Sequence, residues 1–287
     1  MKLAVITDEI DADVERAVSV MAEYGVTGVE LRQIWDKNIV DAPDEYWQRV
    51  KDIVDRHGMT VVSIASPVYK CDLPGDPVVE GPAGPLHSAT ARGLADQMAV
   101  LDRAIQAAQF FGAPLIRVFS FWRRRGLTPE IEDAIVDAFA EPAAVASEAG
   151  VILGLENEHA CYIGTGAQTA RVLEKIASPS VRAIWDPGNA FMDGEQPFPR
   201  GYEAIKDFVA HVHIKDAHVA EGQLTPEWTV VGEGSIDYVG QLKALRESGF
   251  DGYLSLETHY AGKETKEASS RACLEGLIKV AQAAGVA

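Results

Sequence analysis

Several things that other proteins rely on are scarce in this sequence. Cysteine is one. The 287 residues hold only Cys71, Cys161 and Cys273, an odd and widely spaced set. They can form neither a disulfide framework nor a Cys-x-x-Cys metal site, so a reducing, cytoplasmic setting is expected. Long apolar runs are also lacking: nowhere do about 18 apolar residues follow one another. The opening MKLAVITDEI turns acidic early and has no apolar core of a secretory signal, so a soluble protein without a membrane partner is expected. Positive charge is short as well, with 26 Lys and Arg against 43 Asp and Glu, a formal net charge of −17. Such a field repels phosphate backbones and anionic lipid, so nucleic acid is not an expected partner, and most of the acidity simply favours solubility. Finally, an open doubly wound nucleotide-binding sheet wants a glycine-rich turn after its first strand, and ITDEID contains no glycine.

What the sequence does contain is a repeat. Short apolar, β-branched runs at 3–7, 28–31, 60–65, 115–119, 151–155, 181–185, 210–214 and 252–256 read as eight strands. Stretches of helical period lie between and after them, at 13–24, 44–57, 91–111, 129–149, 167–176, 202–208, 238–247 and 266–283. Gly25, Gly58, Gly112, Gly150 and Gly249 each follow a helical stretch and precede a strand, where glycine tolerates the left-handed conformation that stops a helix. Eight βα units close a barrel, and 287 residues suit one large barrel better than two ordinary domains. The expected fold is therefore α/β, a single-domain (β/α)8 TIM barrel over residues 1–287. The proline- and glycine-rich stretch 67–88 reads as a long loop over the barrel mouth, either a lid or a plain surface insertion.

In such barrels the reactive side chains stand at the C-terminal ends of strands. Strand five ends LGLENEH, strand six AIWDPGN, strand seven HVHIKD and strand eight LSLETH. Glu156, Asp186, His213 and Glu257 thus come to one rim from four consecutive strands. Taken singly, each has a structural explanation: a salt bridge, a helix N-cap, or a core histidine with a partner. Together, three carboxylates would repel one another unless a cation joined them. Carboxylate and imidazole donors suit one divalent metal ion, with Mn²⁺ as first choice and Co²⁺, Mg²⁺ or Zn²⁺ as alternatives. His211 shares a strand face with His213, the latter lying nearer the strand end. Candidate substrate-binding groups are His211, His159 in the loop after Glu156, Asn189, Lys215, Arg117 within strand four and Lys70 at the start of the long loop. Glu30, Arg32 and the run Arg123–Arg124–Arg125 are further candidates, the arginines as anion holders or as ion-paired surface. Trp122 reads as an apolar wall for a sugar ring or as core.

The series ENEH, WDPGN, HVHIKD, VGEGSIDY and LSLETH resembles the xylose isomerase-like barrel superfamily. That group holds sugar-phosphate isomerases and epimerases, ketohexose 3-epimerases, inosose and dehydroshikimate dehydratases, and endonuclease IV. The resemblance implies that Glu156, Asp186, His213 and Glu257 match the four metal ligands. It also implies that the residues matching Glu156 and Glu257 exchange protons with substrate, and that Gly232, Gly234 and Asp237 form a structural turn. The sequence departs from the pattern in places. Asn189 stands where endonucleases and several epimerases have a histidine. Lys215 is the nearest base, and Val219 sits where ketohexose epimerases have an arginine. Strands two to four end without histidine, which removes the extra ligands of a trinuclear zinc nuclease.

The functional expectation is a metal-dependent isomerase or epimerase of a sugar or polyol-derived ketone. Glu156 and Glu257 would form the catalytic acid–base pair around a metal-stabilised enediolate. A dehydratase using the same proton abstraction is the alternative, and a non-catalytic sugar-binding barrel a third. The expected partner is a small carbohydrate-like molecule, with homo-oligomerisation left open.

Overall fold

The apolar runs become eight parallel strands that close on themselves in the computed structural model, which describes all residues except 78, 80, 82–91 and 287. They are β1 (Lys2–Ile6), β2 (Gly28–Leu31), β3 (Thr60–Val68), β4 (Leu115–Val118), β5 (Ile152–Glu156), β6 (Val181–Trp185), β7 (Val209–Ile214) and β8 (Tyr253–Leu256). Each pairs with its neighbours in sequence, and β1 closes the ring on β8 from Lys2↔Tyr253 to Val5↔Leu256. β2 and β4 are buried along their whole length, as parallel strands must be when helices cover one face and the barrel interior the other.

The helices around the barrel begin and end where side-chain chemistry dictates. Asp13, Thr128, Thr165, Asp237 and Thr265 each accept a hydrogen bond from a first-turn backbone N–H. The five glycines expected to stop helices all have positive φ, from 62° to 81°. The expected helix 129–149 is in fact two, Pro129–Ala138 and Ala140–Ala149. Pro142 explains the break, because its ring collides with the carbonyl four residues earlier, at Ala138. Helix three is shorter than expected: it starts at Gln97 after a 3-10 turn, Leu94–Asp96. Of the 67–88 loop, 78, 80 and 82–88 lie outside the described residues, while its first two positions belong to β3.

Three small elements were not apparent in the sequence. One is a short helix, Pro187–Met192, directly after β6. The others are antiparallel ribbons at the mouth, Gln33–Ile34 with Lys37–Asn38 and Asp216–His218 with Glu227–Thr229. Among the described residues no helix is long and apolar enough to cross a membrane.

The last helix, Lys266–Ala284, rests on the loop before the seventh barrel helix through Gly276, where a Cβ would run into the Val231 carbonyl. Alanine at a helix interior normally gains ~1 kcal/mol over glycine. Here the clash is with backbone, so Gly276→Ala should instead lower stability by about 1–3 kcal/mol in urea denaturation. A variant as stable as wild type would show that the 230–232 segment yields.

Candidate metal centre and active site

Four strand ends converge. Glu156 is the last residue of β5, Asp186 the first after β6, His213 the last but one of β7, and Glu257 the first after β8. One donor atom from each lies within 4.8 Å of the other three, and all four side chains are buried.

Each side chain is held by a local device. Asp186 is the N-cap of the short helix, its Oδ1 accepting the Asn189 N–H at 2.8 Å. Asn157 clamps the Asp186 backbone from both sides, accepting its N–H and donating to its carbonyl, each at 2.8 Å. His213 stands between two carboxylates, with Nε2 3.2 Å from both Glu30 oxygens and Nδ1 3.1 Å from Glu156 Oε1. Nε2 thus faces Glu30 and Nδ1 faces the cluster, so with Nε2–H donated to Glu30 the Nδ1 lone pair would be available to a metal ion. Glu30 also accepts from Ser255 Oγ at 2.7 Å and lies 3.2 Å from His211 Nε2. His211 therefore sits against Glu30, buried, rather than among the four.

Cations line the same space. Lys215 Nζ is 2.6 Å from Glu257 Oε2 and 3.0 Å from Asp186 Oδ2. Arg117 Nη1 is 3.4 Å from Glu156 Oε2 and 3.6 Å from Glu257 Oε1. Arg32 joins Glu257 Oε1 at 3.1 Å to Asp8 at 2.8 Å, and pairs with Glu9. Lys70 lies 3.6 Å from Glu158 Oε2 and packs over the Phe119 ring at 4.3 Å. His159 Nδ1 is 2.9 Å from Asn189 Oδ1, and Asn189 Nδ2 donates to Glu156 Oε1 at 3.3 Å, so a polar chain runs from the loop to the cluster.

These contacts move the protonation equilibria. Burial works against charge on Glu257, but Lys215, His259 and His213 outweigh it and hold its pKa well below the carboxylate range. Burial also opposes charge on His213, yet Glu30 and Glu156 hold its pKa well above the histidine range. Burial pushes Asp186 up to about 6; Lys215 pulls against it, while Glu156 and Glu257 add to it.

The donor set fits a divalent cation. Glu156 Oε2 and Asp186 Oδ2 are buried without a hydrogen-bond partner, although Arg117 and Lys215 stand near them. A buried carboxylate oxygen left in that state is costly, and oxygen donors beside an imidazole nitrogen suit Mn²⁺, Co²⁺, Mg²⁺ or Zn²⁺. Two other groups of ligand type occur among the described residues, Glu30 with His211 and His213, and Glu9 with Glu257 and His259. In the first, Glu30 is engaged by both histidines; in the second, Glu9 is already paired with Arg32.

The remaining candidates divide clearly. Arg123, Arg124 and Arg125 are tied to Asp193, Asp72 and Asp76, the ion-paired alternative. Trp122 is core, packed with Phe119 and Cys161. Sequence reasoning passed over Asp8, Glu9, Glu158 and His259. The strand-end rule applied to β1, which runs into Thr7–Asp8–Glu9, points to the first two. Trp228, on the second ribbon, had no sequence signal, because nothing in 216–229 announces a hairpin.

Residues 18–283 match a family model described as xylose isomerase-like TIM barrel. An inosose dehydratase of Lacticaseibacillus casei is 25% identical over 122 residues, 37% of this chain and 41% of the relative. The match thus spans well under two thirds of that relative's length. Two solved structures share the fold. One is the IolI protein with a bound zinc atom, with TM-score 0.75, 18% identity and 98% of each chain covered. The other is 3-keto-D-glucoside 4-epimerase from E. coli, with TM-score 0.71, 16% identity, and 98% of this chain and 100% of that one covered.

The Glu30–His213 pair yields an expected outcome. Glu30→Gln keeps the volume but loses the charge that orients the imidazole, so Mn²⁺ affinity measured by titration calorimetry should fall roughly 10–100-fold. Unchanged affinity would mean that His213 needs no orienting carboxylate.

Proposed function

This chain belongs to the xylose isomerase-like TIM barrel family, and we propose that it is a divalent-metal-dependent enzyme that removes a proton next to the carbonyl of a sugar- or polyol-derived ketone. The observation that carries the reading is the buried cluster of Glu156, Asp186, His213 and Glu257 with two carboxylate oxygens lacking hydrogen bonds. Those four residues would hold the ion. When bound, a divalent cation supplies Lewis-acid polarisation of a carbonyl and its neighbouring hydroxyl.

The chain's own residues do the rest. Glu156 and Glu257 are the two carboxylates placed to take a proton from carbon and return it, each such group contributing about 10²–10⁴-fold in rate. Arg117 lies between them, and Lys215 beside Glu257, so negative charge developing on substrate oxygen meets two fixed cations. His159 from the loop after β5 and Asn189 from the short helix after β6 reach the cluster as substrate contacts, and Lys70 offers a further cation at the rim. His211 acts through Glu30.

Returning the proton to the other carbon or the other face gives isomerisation or epimerisation. A second reading, loss of a β-hydroxyl after the same proton removal, is supported by the similarity to an inosose dehydratase. With a panel of ketoses and keto-polyols in deuterated water, the first predicts C–D exchange without loss of water, the second a dehydrated product.

The wild type should bind about one divalent ion per chain, and chelation should abolish turnover. Absence of bound metal after reconstitution with Mn²⁺, Co²⁺, Mg²⁺ and Zn²⁺ would sink the metal reading. Asp186→Asn should lose metal affinity and, with it, activity. Glu156→Gln and Glu257→Gln should keep more metal than Asp186→Asn yet stay inactive at metal saturation, with deuterium exchange retained at most at one position. Wild-type turnover by either Gln variant would eliminate the two-carboxylate mechanism.

A further inference from the structure

The ribbon after β7 builds a wall that the proton chemistry does not use. Asp216, at its base, accepts the backbone N–H groups of Ala217 at 2.8 Å, Gly232 at 2.9 Å and Gly234 at 3.1 Å, which fixes where the ribbon leaves the barrel. Across the ribbon, Trp228 pairs with Ala217. Its indole meets the His259 ring edge-on at 4.9 Å and the His159 ring at 6.1 Å. Beneath it, Lys215 Nζ lies 5.4 Å from the ring centre while remaining 2.6 Å from Glu257. Three ring side chains, from the loops after β5, β7 and β8, thus stand together over one edge of the carboxylate cluster. Trp228 is partly exposed, unlike Trp122, which is buried.

We propose that Trp228, flanked by His159 and His259, is a specificity-determining wall that selects ring-shaped polyhydroxylated substrates, cyclitols or pyranosides, over open-chain ones. The proposal rests on the reading of the site as one for sugar- or polyol-derived ketones and names the shape of substrate within it. A six-membered polyol ring presents a flat face of C–H groups that an indole covers, and equatorial hydroxyls that reach the two imidazoles at its edges. An open chain has no such face and loses more conformational freedom when held. The cation–π contact with Lys215 keeps the indole at the cluster.

The test uses unreactive probes, so it does not depend on turnover. Binding of myo-inositol, scyllo-inositol and methyl β-D-glucopyranoside is compared with binding of xylitol and ribitol by titration calorimetry, with and without Mn²⁺. The proteins are wild type, Trp228→Phe and Trp228→Ala. Wild type should prefer at least one ring compound over both open chains by about tenfold or more. Trp228→Ala should lose that preference, while Trp228→Phe keeps most of it. Thermal midpoint and Mn²⁺ affinity of both variants should match wild type, which a merely structural role for Trp228 would not allow. Should Trp228→Ala fail to fold, the ring preference of Trp228→Phe and the change in Trp228 emission on ring binding, read as wild type minus Trp228→Phe, carry the same decision. Equal affinity for rings and chains in wild type, no binding of any ring compound with or without Mn²⁺, or an undiminished ring preference in Trp228→Ala would each overturn the proposal. A ring preference with no turnover on any ketone would instead count against the reaction, leaving the wall in place.

Discussion

Everything at the barrel mouth answers to one constraint, the burial of more negative than positive charge. Asp8, Glu9, Glu30, Glu156, Glu158, Asp186 and Glu257 are all buried there, against Arg32, Lys70, Arg117 and Lys215. Taking charge out of water costs several kcal/mol per ion unless partners replace the lost hydration. Three of the four cations are accordingly shared, while Lys70 pairs with Glu158 alone. Arg32 bridges Asp8, Glu9 and Glu257; Lys215 bridges Asp186 and Glu257; Arg117 stands between Glu156 and Glu257. Glu257 is where the three meet; burial opposes its charge, and Lys215, with His259 and His213, holds its pKa low. The oxygens without hydrogen bonds belong to Glu156 and Asp186, on the side where Arg117 and Lys215 stand near but donate no hydrogen bond to them. A divalent ion is the species that would balance that side.

The barrel makes this arrangement reproducible by bending its strands where the site requires it. Pairing shifts by a residue between Val29 and Glu30 on β2, so that Glu30 lies opposite Ser63. It shifts again between Ala183 and Ile184 on β6, beside His211. Such irregularities re-aim side chains next to active sites. Glu30 is thereby set against His211, His213 and Ser255 at once, and one strand far from the ligands in sequence governs which nitrogen of His213 faces them.

The fold and the core of the cluster were legible because both follow from strict periodicities. Strand ends fall where apolar runs stop, and in a parallel barrel those ends share a rim, so Glu156, Asp186, His213 and Glu257 could be grouped from spacing alone. Helix stops were legible because glycine at positive φ is a local requirement. The division of helix 129–149 was also written locally, in Pro142, but periodicity masked it. Partners were another matter. That Arg32 faces Asp8 and Glu9, or that Glu30 lies under His213, depends on register between strands, and a single sequence does not state register. The ribbon carrying Trp228 was hidden for a different reason: three-residue strands have too few positions to show alternation.

Two of the four central residues divide their atoms between stability and chemistry. Asp186 gives Oδ1 to the helix it caps and leaves Oδ2 to the cluster; His213 gives Nε2 to Glu30 and leaves Nδ1. The plain structural explanation of Asp186 as an N-cap is therefore correct and does not compete with the metal reading. Capping fixes the carboxylate plane, and that fixing is what makes the free oxygen useful. The loops obey no such double constraint. Apart from Asn157 and Asp216, which brace Asp186 and the ribbon, segments 157–165, 216–229 and 258–265 carry His159, Trp228 and His259 without contributing to barrel closure. The strands thus carry the carboxylate cluster and the loops its surroundings, a division that lets a single fold host different chemistries.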